Sequence, residues 1–193
     1  MASREIYKTL ATPCEGLYKE KGSKFLAFAF PVSTEDQIKT HLAALKKTYF
    51  DARHHCYAYR LGPEGDLWRA NDNGEPSSTA GKPILGQLLS YDVSDVLVVV
   101  VRYFGGIKLG VGGLINAYRT AAQDALSHAV LVDKPVKVRM ELHFTYEQTN
   151  SVMKAVKDAQ ADVISQSFSD GPLPCSLIVT SLPSKVPLLA PYQ

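Results

Sequence analysis

Two histidines, a cysteine and a carboxylate lie close together in the segment Asp51-x-x-His54-His55-Cys56. Side chains of these kinds bind metals, and histidine also serves as a general base. The segment from His54 to Arg60 is predicted to be a strand, on which neighbouring side chains point to opposite faces. His54 and Cys56 would share one face and His55 the other, which leaves too few convergent ligands for zinc. We therefore predict no metal site and expect a histidine that lines a pocket.

A polar loop between residues 71 and 83 supplies a second set of reactive side chains. Asp72 and Glu75 could act as acid and base, or hold a cation. The other candidate ligand-binding residues of this loop are Ser77, Ser78, Thr79 and Lys82. Any of the three hydroxyl residues could instead be the N-cap of the helix that follows. The sequence shows no recognisable pair of nucleophile and base.

A glycine-dense loop, which connects a strand to a helix, is the third candidate. Five of the nine residues from 105 to 113 are glycine, namely Gly105, Gly106, Gly110, Gly112 and Gly113. The apolar run Val96–Val101 predicts a strand covered on both faces, and a helical stripe of apolar residues begins at Leu114. The helix would begin near Gly112, and its free N–H groups beside Lys108 and Arg102 would favour an anion. Alternatively, the glycines only shape a tight turn.

The surrounding elements are predicted to bring these loops together. Strand signals occupy residues 4–32, and Thr34 with Gln37 forms a capping box at the start of a helix. Because two polar, glycine-containing loops each lead into a helix, we expect them to share one cleft. Beyond residue 135, strict alternation predicts a half-buried strand over 136–144, then a helix over 147–160 and strands over 163–168 and 175–182.

Composition sets few limits on function. The chain of 193 residues is 46% hydrophobic and 21% charged, and its net charge of +2 is too small to indicate nucleic-acid binding by itself. Cys14, Cys56 and Cys175 are widely spaced, so we expect no disulfide framework and a reducing compartment. No signal-peptide core is present, and no apolar stretch approaches the roughly 20 residues that cross a bilayer. We expect a cytoplasmic protein with no cofactor and no membrane partner.

Three blocks of sequence carry a resemblance to a known family. Residues 51–56, 71–83 and 100–114 resemble the signature of the IMPACT family, in its bacterial YigZ-like branch. The resemblance implies an α/β (α+β) protein, whose residues 1–132 form a domain of the type shared with elongation factor G and a ribosomal protein. It implies a ferredoxin-like domain over 136–193. Asn71-Asp72-Asn73 stands where the family often has Ser-Asp-Asp, which makes a two-carboxylate metal site doubtful.

The C-terminal segment is predicted to be short for a ferredoxin-like domain, which needs the order β-α-β-β-α-β. Pro183, Pro187 and Pro191 follow the third strand at a spacing of four and exclude a regular helix. We therefore predict that the last helix and strand are absent. The apolar face of Val138, Met140, Leu142 and Phe144 would then be covered by Leu188, Leu189 and Tyr192, or by a second copy in a homo-oligomer.

Three functional hypotheses agree with these patterns. The resemblance implies that eukaryotic relatives regulate translation by competing for an activator of the starvation-responsive initiation-factor kinase. The first hypothesis is a non-enzymatic, translation-associated regulator that binds RNA or a ribosomal or translation-factor partner through the basic glycine loop. The second is an enzyme acting on a small phosphorylated substrate or nucleotide between loops 71–83 and 102–114, with Asp72 or Glu75 as acid–base and His54 or His55 assisting. The third is a protein–protein interaction module.

Overall fold

The computed structural model describes residues 4–193, so the first three residues of the predicted N-terminal domain lie outside the described part. The chain forms two compact units, one of residues 7–134 and one of residues 135–193 with residues 4–6. The mixed α/β architecture expected from the sequence is confirmed. No helix among the described residues is long and apolar enough to cross a membrane.

The first unit is built on a five-stranded antiparallel sheet with the order β2-β3-β6-β4-β5. Its strands are β2 (Cys14–Glu20), β3 (Ser23–Pro31), β4 (His54–Leu61), β5 (Leu67–Asn71) and β6 (Val96–Tyr103). Its helices are α1 (Glu35–Thr48), α2 (Gly81–Ser90) and α3 (Gly110–Ser127). The two outermost elements of this unit, β1 (Ile6–Leu10) and β7 (Leu131–Pro135), pair as a separate ribbon.

The central strand β6 explains why the valine run has no polar interruption. All six residues from Val96 to Val101 are fully buried, because helices cover both faces of the sheet. Even-numbered side chains such as Val98 and Val100 pack with α2 and α3, while Val99 and Val101 pack with α1. The prediction of a strand covered on both faces is confirmed.

Close packing at Gly16 fixes α3 against β2. A Cβ atom at this position would lie 2.2 Å from the backbone nitrogen of Ala125, so no larger residue fits without a shift. The Asp124 carboxylate accepts the Leu17 N–H at 2.8 Å, a second contact between α3 and β2 beside Gly16. This packing sets the position of α3 on the sheet.

The predicted start of α1 is confirmed. Thr34 Oγ1 accepts the Gln37 N–H at 3.2 Å, as expected of an N-cap. The Gln37 side chain reaches back to accept the Ser33 N–H at 2.7 Å, one residue before the position of an ordinary capping box.

A buried carboxylate fastens the β1–β7 ribbon to the start of β6. Asp95 Oδ2 accepts the Tyr7 hydroxyl at 2.6 Å and the Lys134 ammonium at 2.7 Å, and its Oδ1 accepts the Gly62 N–H at 2.9 Å. Burial alone would raise the pKa of Asp95, but the three donors outweigh it and hold that pKa below its ordinary value.

The second unit contains a three-stranded antiparallel sheet with the order β8-β10-β9. Its elements are β8 (Val138–Phe144), α4 (Thr149–Asp158), β9 (Asp162–Phe168), β10 (Cys175–Ser181) and the single-turn α5 (Val186–Leu189). Leu189 is fully buried in the core with Met140 and Leu142, whereas Leu188 is 45% exposed. The C-terminal segment therefore covers the apolar face, which is the first of the two alternatives stated from the sequence.

Candidate functional site

The three sequence blocks meet at one end of the five-stranded sheet. His54, at the start of β4, pairs with Arg102, near the end of β6. The loop containing Glu75 and the glycine loop containing Lys108 flank this pair. Together they enclose a pocket of about 470 Å³. The two polar loops line the same pocket, as the sequence led us to expect.

The pocket combines charged groups with apolar walls. Its ionisable lining residues are Arg53, His54, Glu75, Arg102 and Lys108. Its other lining residues are Pro76, Phe104, Leu109, Gly110, Val111 and Leu114. An apolar pocket with a few convergent polar groups is the usual form of a ligand site.

Glu75 lies at the centre of the polar network. Its side chain is only 3% exposed, and its Oε1 accepts hydrogen bonds from Arg102 Nη1 at 2.5 Å and from the Tyr118 hydroxyl at 2.6 Å. His54 Nε2 lies 3.8 Å from the same oxygen. A buried ion pair of this kind costs desolvation energy that an apolar core would avoid. Its presence in a pocket therefore favours a functional role.

Arg102 lies close to two aromatic rings. Its guanidinium carbon lies 5.5 Å from the centroid of the buried Phe25 ring and 5.6 Å from that of Phe104. Its side chain is 7% exposed, and its Nε has no hydrogen-bond partner among the described residues. Arg102 is thus fixed in position by stacking and by Glu75.

The orientation of His54 is set by the polar loop. Its Nδ1 lies 2.8 Å from the backbone oxygen of Asn73, and a carbonyl only accepts, so this nitrogen carries the hydrogen. In the neutral ring, Nε2 is then a hydrogen-bond acceptor beside Glu75. Asn73 has a φ of 40°, and its side-chain oxygen accepts the His55 N–H at 2.8 Å. The turn at Asn73 is therefore held to β4 by two hydrogen bonds.

Asp72 caps helix α2 and does not reach the pocket. Its carboxylate accepts the backbone N–H groups of Ser78 at 2.8 Å, Ala80 at 3.1 Å and Gly81 at 2.8 Å. Burial would raise the pKa of Asp72, but these donors outweigh it and lower that pKa. A carboxylate held in this way is a poor proton acceptor. The proposed acid–base role of Asp72 is therefore a point at which the structure disagrees with the sequence interpretation.

The hydroxyl residues before α2 do not cap it. The N-cap residue is Ala80, whose side chain cannot accept a hydrogen bond. The Asp72 carboxylate, from the other end of the loop, accepts the N–H groups at the start of the helix instead. Thr79 Oγ1 bonds to the Pro76 oxygen at 2.6 Å, and Ser78 has a φ of 66°. Ser77 and Lys82 are exposed, and none of these four predicted ligand-binding residues lines the pocket.

His55 also lies away from the pocket. It points to the α1 side of the sheet, as strand alternation requires, and its Nε2 lies 3.0 Å from the backbone oxygen of Tyr49. Burial lowers the pKa of His55 and keeps the ring neutral. His54 is thus the histidine that lines the pocket, and His55 cannot assist it.

The glycines of the third block have different roles. A Cβ atom at Gly105 would lie 2.0 Å from the carbonyl carbon of Gly22, so this glycine permits backbone contact with the β2–β3 hairpin. Gly106 and Gly110 have φ values of 90° and 73°, which disfavour other residues. Helix α3 begins at Gly110, two residues earlier than predicted, so Gly112 and Gly113 lie in its first turn. Of the five, only Gly110 lines the pocket.

Sequence reasoning missed Tyr118, Arg53 and Phe104. Tyr118 lies on the buried apolar stripe of α3, as helical spacing predicts, and its hydroxyl also donates to Glu75, which the sequence did not show. Cys56 Sγ donates to the backbone oxygen of Asp72 at 2.9 Å, and burial raises the pKa of this thiol to about 12, so it is not a nucleophile. Among residues 4–193, no group of three or more His, Cys, Asp or Glu residues could hold a metal ion.

Comparison with known proteins places these residues in a family context. The family described as "Impact N-terminal domain" matches residues 21–126. The chain is 37% identical to IMPACT family member YvyE of Bacillus subtilis over 138 residues, covering 72% of this chain and 64% of that protein. It is 31% identical to IMPACT family member YigZ of Escherichia coli over 160 residues, covering 82% of this chain and 78% of that protein. A crystal structure described as that of a hypothetical protein has a TM-score of 0.75 and 29% identity, and the alignment covers 97% of this chain and 91% of that one.

Proposed function

Because the chain belongs to the IMPACT family, we propose that it is a cytoplasmic, translation-associated regulatory protein that binds single-stranded RNA at the pocket. The translation role follows from the family resemblance, which implies that eukaryotic members regulate translation. The binding role is supported by the pocket itself. In this proposal the protein acts by binding and catalyses no reaction.

The observation that carries the RNA proposal is the combination of free cations with an exposed aromatic ring at one pocket. Arg53 and Lys108 are exposed and form no ion pair within the described chain, so their charges are available to phosphates. Phe104 is 46% exposed and offers a face on which a base can stack. Proteins recognise single-stranded RNA by stacking unpaired bases on aromatic or arginine planes and by neutralising phosphates.

The charge distribution inside the pocket argues against inorganic phosphate as the whole ligand. Glu75 neutralises Arg102 in the interior, where a phosphate would meet a buried carboxylate. The unpaired cations, Arg53 and Lys108, are among the exposed lining residues. An apolar interior with free positive charge among its exposed groups suits a ligand that has a flat ring at one end and a phosphate at the other.

The test is RNA binding by the full chain, measured by fluorescence anisotropy with a single-stranded RNA of about ten nucleotides at several salt concentrations. Lys108→Ala should weaken binding and reduce the slope of log K against log salt by about 0.7, the effect of losing one phosphate contact on a single strand. Lys82→Ala is the matched control, because Lys82 is exposed and lies outside the pocket. An absence of affinity at low salt for single-stranded RNA, tRNA and rRNA would refute the RNA proposal.

The second candidate is an enzyme that acts on a small phosphorylated substrate or nucleotide. The observation that favours it is the arrangement of His54 Nε2 beside the buried Glu75 carboxylate, two groups that can exchange a proton with a bound ligand. Asp72 and His55 play no part in this version. Incubation with nucleoside mono-, di- and triphosphates, followed by phosphorus NMR, would show turnover if this candidate is right. Recovery of a protein partner after nuclease treatment would instead support the interaction-module hypothesis.

A further inference from the structure

We propose that the pocket accommodates one base of the bound RNA and selects guanine. This inference rests on the proposed function and specifies the ligand of the same site. It follows from the hydrogen-bonding groups that the pocket presents, the nature of its walls and the location of its free charges.

The polar part of the pocket presents two acceptors close together. One is the carboxylate of Glu75, whose bonds from Arg102 and Tyr118 both go to Oε1. The other is His54 Nε2, which lies 3.8 Å from that oxygen and is an acceptor in the neutral ring because Nδ1 faces the Asn73 carbonyl. A ligand that satisfies this pair must offer two adjacent donors.

Guanine is the common base whose Watson–Crick edge has this form. Its N1–H and N2–H₂ groups are neighbouring donors, and a carboxylate with a second acceptor can take both. Adenine presents an acceptor at N1 beside its amino group, and uracil presents a single N–H between two carbonyls. For these bases an acceptor would face Glu75, a buried charge that already lies next to His54. Leaving a buried polar group unpaired costs more than a good pair contributes.

The remaining lining residues match the rest of a guanine nucleotide. Pro76, Leu109 and Leu114 provide apolar walls, and Phe104 provides a half-exposed ring for stacking. Arg53 and Lys108 are exposed lining residues whose positive charges are available to the phosphate on the ribose of that nucleotide. Each part of the ligand therefore meets a group of complementary chemistry.

The first experiment needs no substitution. Isothermal titration of the wild-type chain with 5′-GMP, 5′-IMP, 5′-AMP and 5′-UMP should show GMP binding about five- to 150-fold tighter than AMP and UMP, the range for one good bidentate base contact. IMP lacks the N2 amino group and should lie between GMP and AMP. Equal affinities for all four nucleotides would overturn guanine selection.

A second measurement separates guanine within RNA from free guanine nucleotide. Oligouridylate containing one guanine should bind tighter than the same strand containing one adenine. If both strands bind equally well, RNA binding stands and guanine selection fails. If GMP binds selectively but neither strand binds, the pocket selects a free guanine nucleotide and the RNA proposal fails. If no nucleotide and no strand binds, both proposals fail.

Glu75→Gln tests the residue assigned to base selection. The amide replaces one acceptor oxygen by a donor, so the preference for GMP over AMP should fall at least fivefold. Glu15→Gln is the matched control, because Glu15 is an exposed carboxylate on β2 outside the pocket. An unchanged preference in a folded Glu75→Gln variant would refute the assignment. If this variant does not fold, the wild-type nucleotide series still decides the question.

Discussion

Two buried carboxylates of the first unit have nearly the same partners and different surroundings. Asp95 precedes β6 and binds a lysine and a tyrosine, while Glu75 lies beside the other end of β6 and binds an arginine and a tyrosine. Asp95 uses both oxygens, because Gly62 takes the second one. The bonds found for Glu75 converge on one oxygen, and the residue lines a pocket.

The difference shows that the identity of the partners does not decide the role of a buried charge. Asp95 binds residues up to 88 positions away from it in the chain, so its network serves to hold elements together. Glu75 is held rigidly by Arg102 and Tyr118 but keeps acceptor capacity beside His54. A carboxylate in a pocket that can still accept a hydrogen bond is suited to bind a ligand. A buried carboxylate whose two oxygens both have partners is suited to stabilise the fold.

The largest expected effect comes from removing the cation beside Glu75. Arg102→Met should lower the free energy of unfolding by about 3–5 kcal/mol, because it leaves a buried carboxylate without its charged partner. The double variant Arg102→Met/Glu75→Leu should recover most of that loss, since neither charge is then buried alone. Urea denaturation followed by circular dichroism measures both.

The same double variant should fail to distinguish guanine from adenine although it is stable. That result would separate the functional role of the pair from its contribution to folding. If the double variant is as unstable as Arg102→Met alone, the pair is structural in the same sense as Asp95, and the contrast drawn above is wrong.

A smaller loss is expected at the other end of β6. Asp95→Asn should lower the free energy of unfolding by about 2–3 kcal/mol, less than for a fully buried pair because Lys134 is 43% exposed. Asparagine tolerates the φ of 56° at this position, so the change isolates the charge. Affinity for RNA should not change.

The control for Asp95 is Asp133→Asn. Asp133 forms an exposed ion pair with Lys8, with 64% and 54% of the side chains accessible, so its loss should change stability little. Equal destabilisation by the two variants would show that the buried network around Asp95 is no more important than a surface pair.

The smallest effect is a change in the acid dependence of stability. The pKa of Asp95 is lower in the folded chain than its unfolded value of about 3.9, so its contribution is complete above the unfolded value and is lost as the pH falls through the folded one. Urea midpoints measured at decreasing pH should therefore fall less steeply for Asp95→Asn than for wild type. The difference should be about 1.4 kcal/mol for each unit by which folding lowers the pKa. Parallel curves for the two proteins would contradict the assigned shift.

Local patterns predicted the elements but not the partners of each side chain. The Thr34 cap and the buried strand β6 follow from residues close in sequence, and both are confirmed. Strand alternation also separated His54 from His55 correctly. The common location of the two loops was predicted because both are polar, contain glycine and lead into a helix, and both line the pocket.

The errors concern residues whose partners depend on backbone conformation or on distant elements. Asp72 was given a chemical role because the sequence does not show that the loop turns back, through the positive φ of Ser78, to place the carboxylate at the start of α2. Tyr118 was placed correctly on the apolar stripe, because helical spacing predicts which face of the helix a residue occupies. Helical spacing does not show that the hydroxyl of this tyrosine donates a hydrogen bond to Glu75, 43 positions away.

The contact between Gly105 and the β2–β3 hairpin has a kinetic consequence. The Gly105 N–H donates to Ser23 Oγ at 3.1 Å across 82 residues of chain, and the two backbones touch at Gly22. Contacts between residues so far apart form late in folding, because the intervening chain must first lose its conformational freedom. β3 and β6 pair directly beside this contact, so we expect the glycine loop to lie against the hairpin only once these two strands have paired. A refolding chain should therefore acquire helical signal before it acquires ligand affinity. The interval between the two signals measures the time that the contact between Gly105 and the hairpin takes to form.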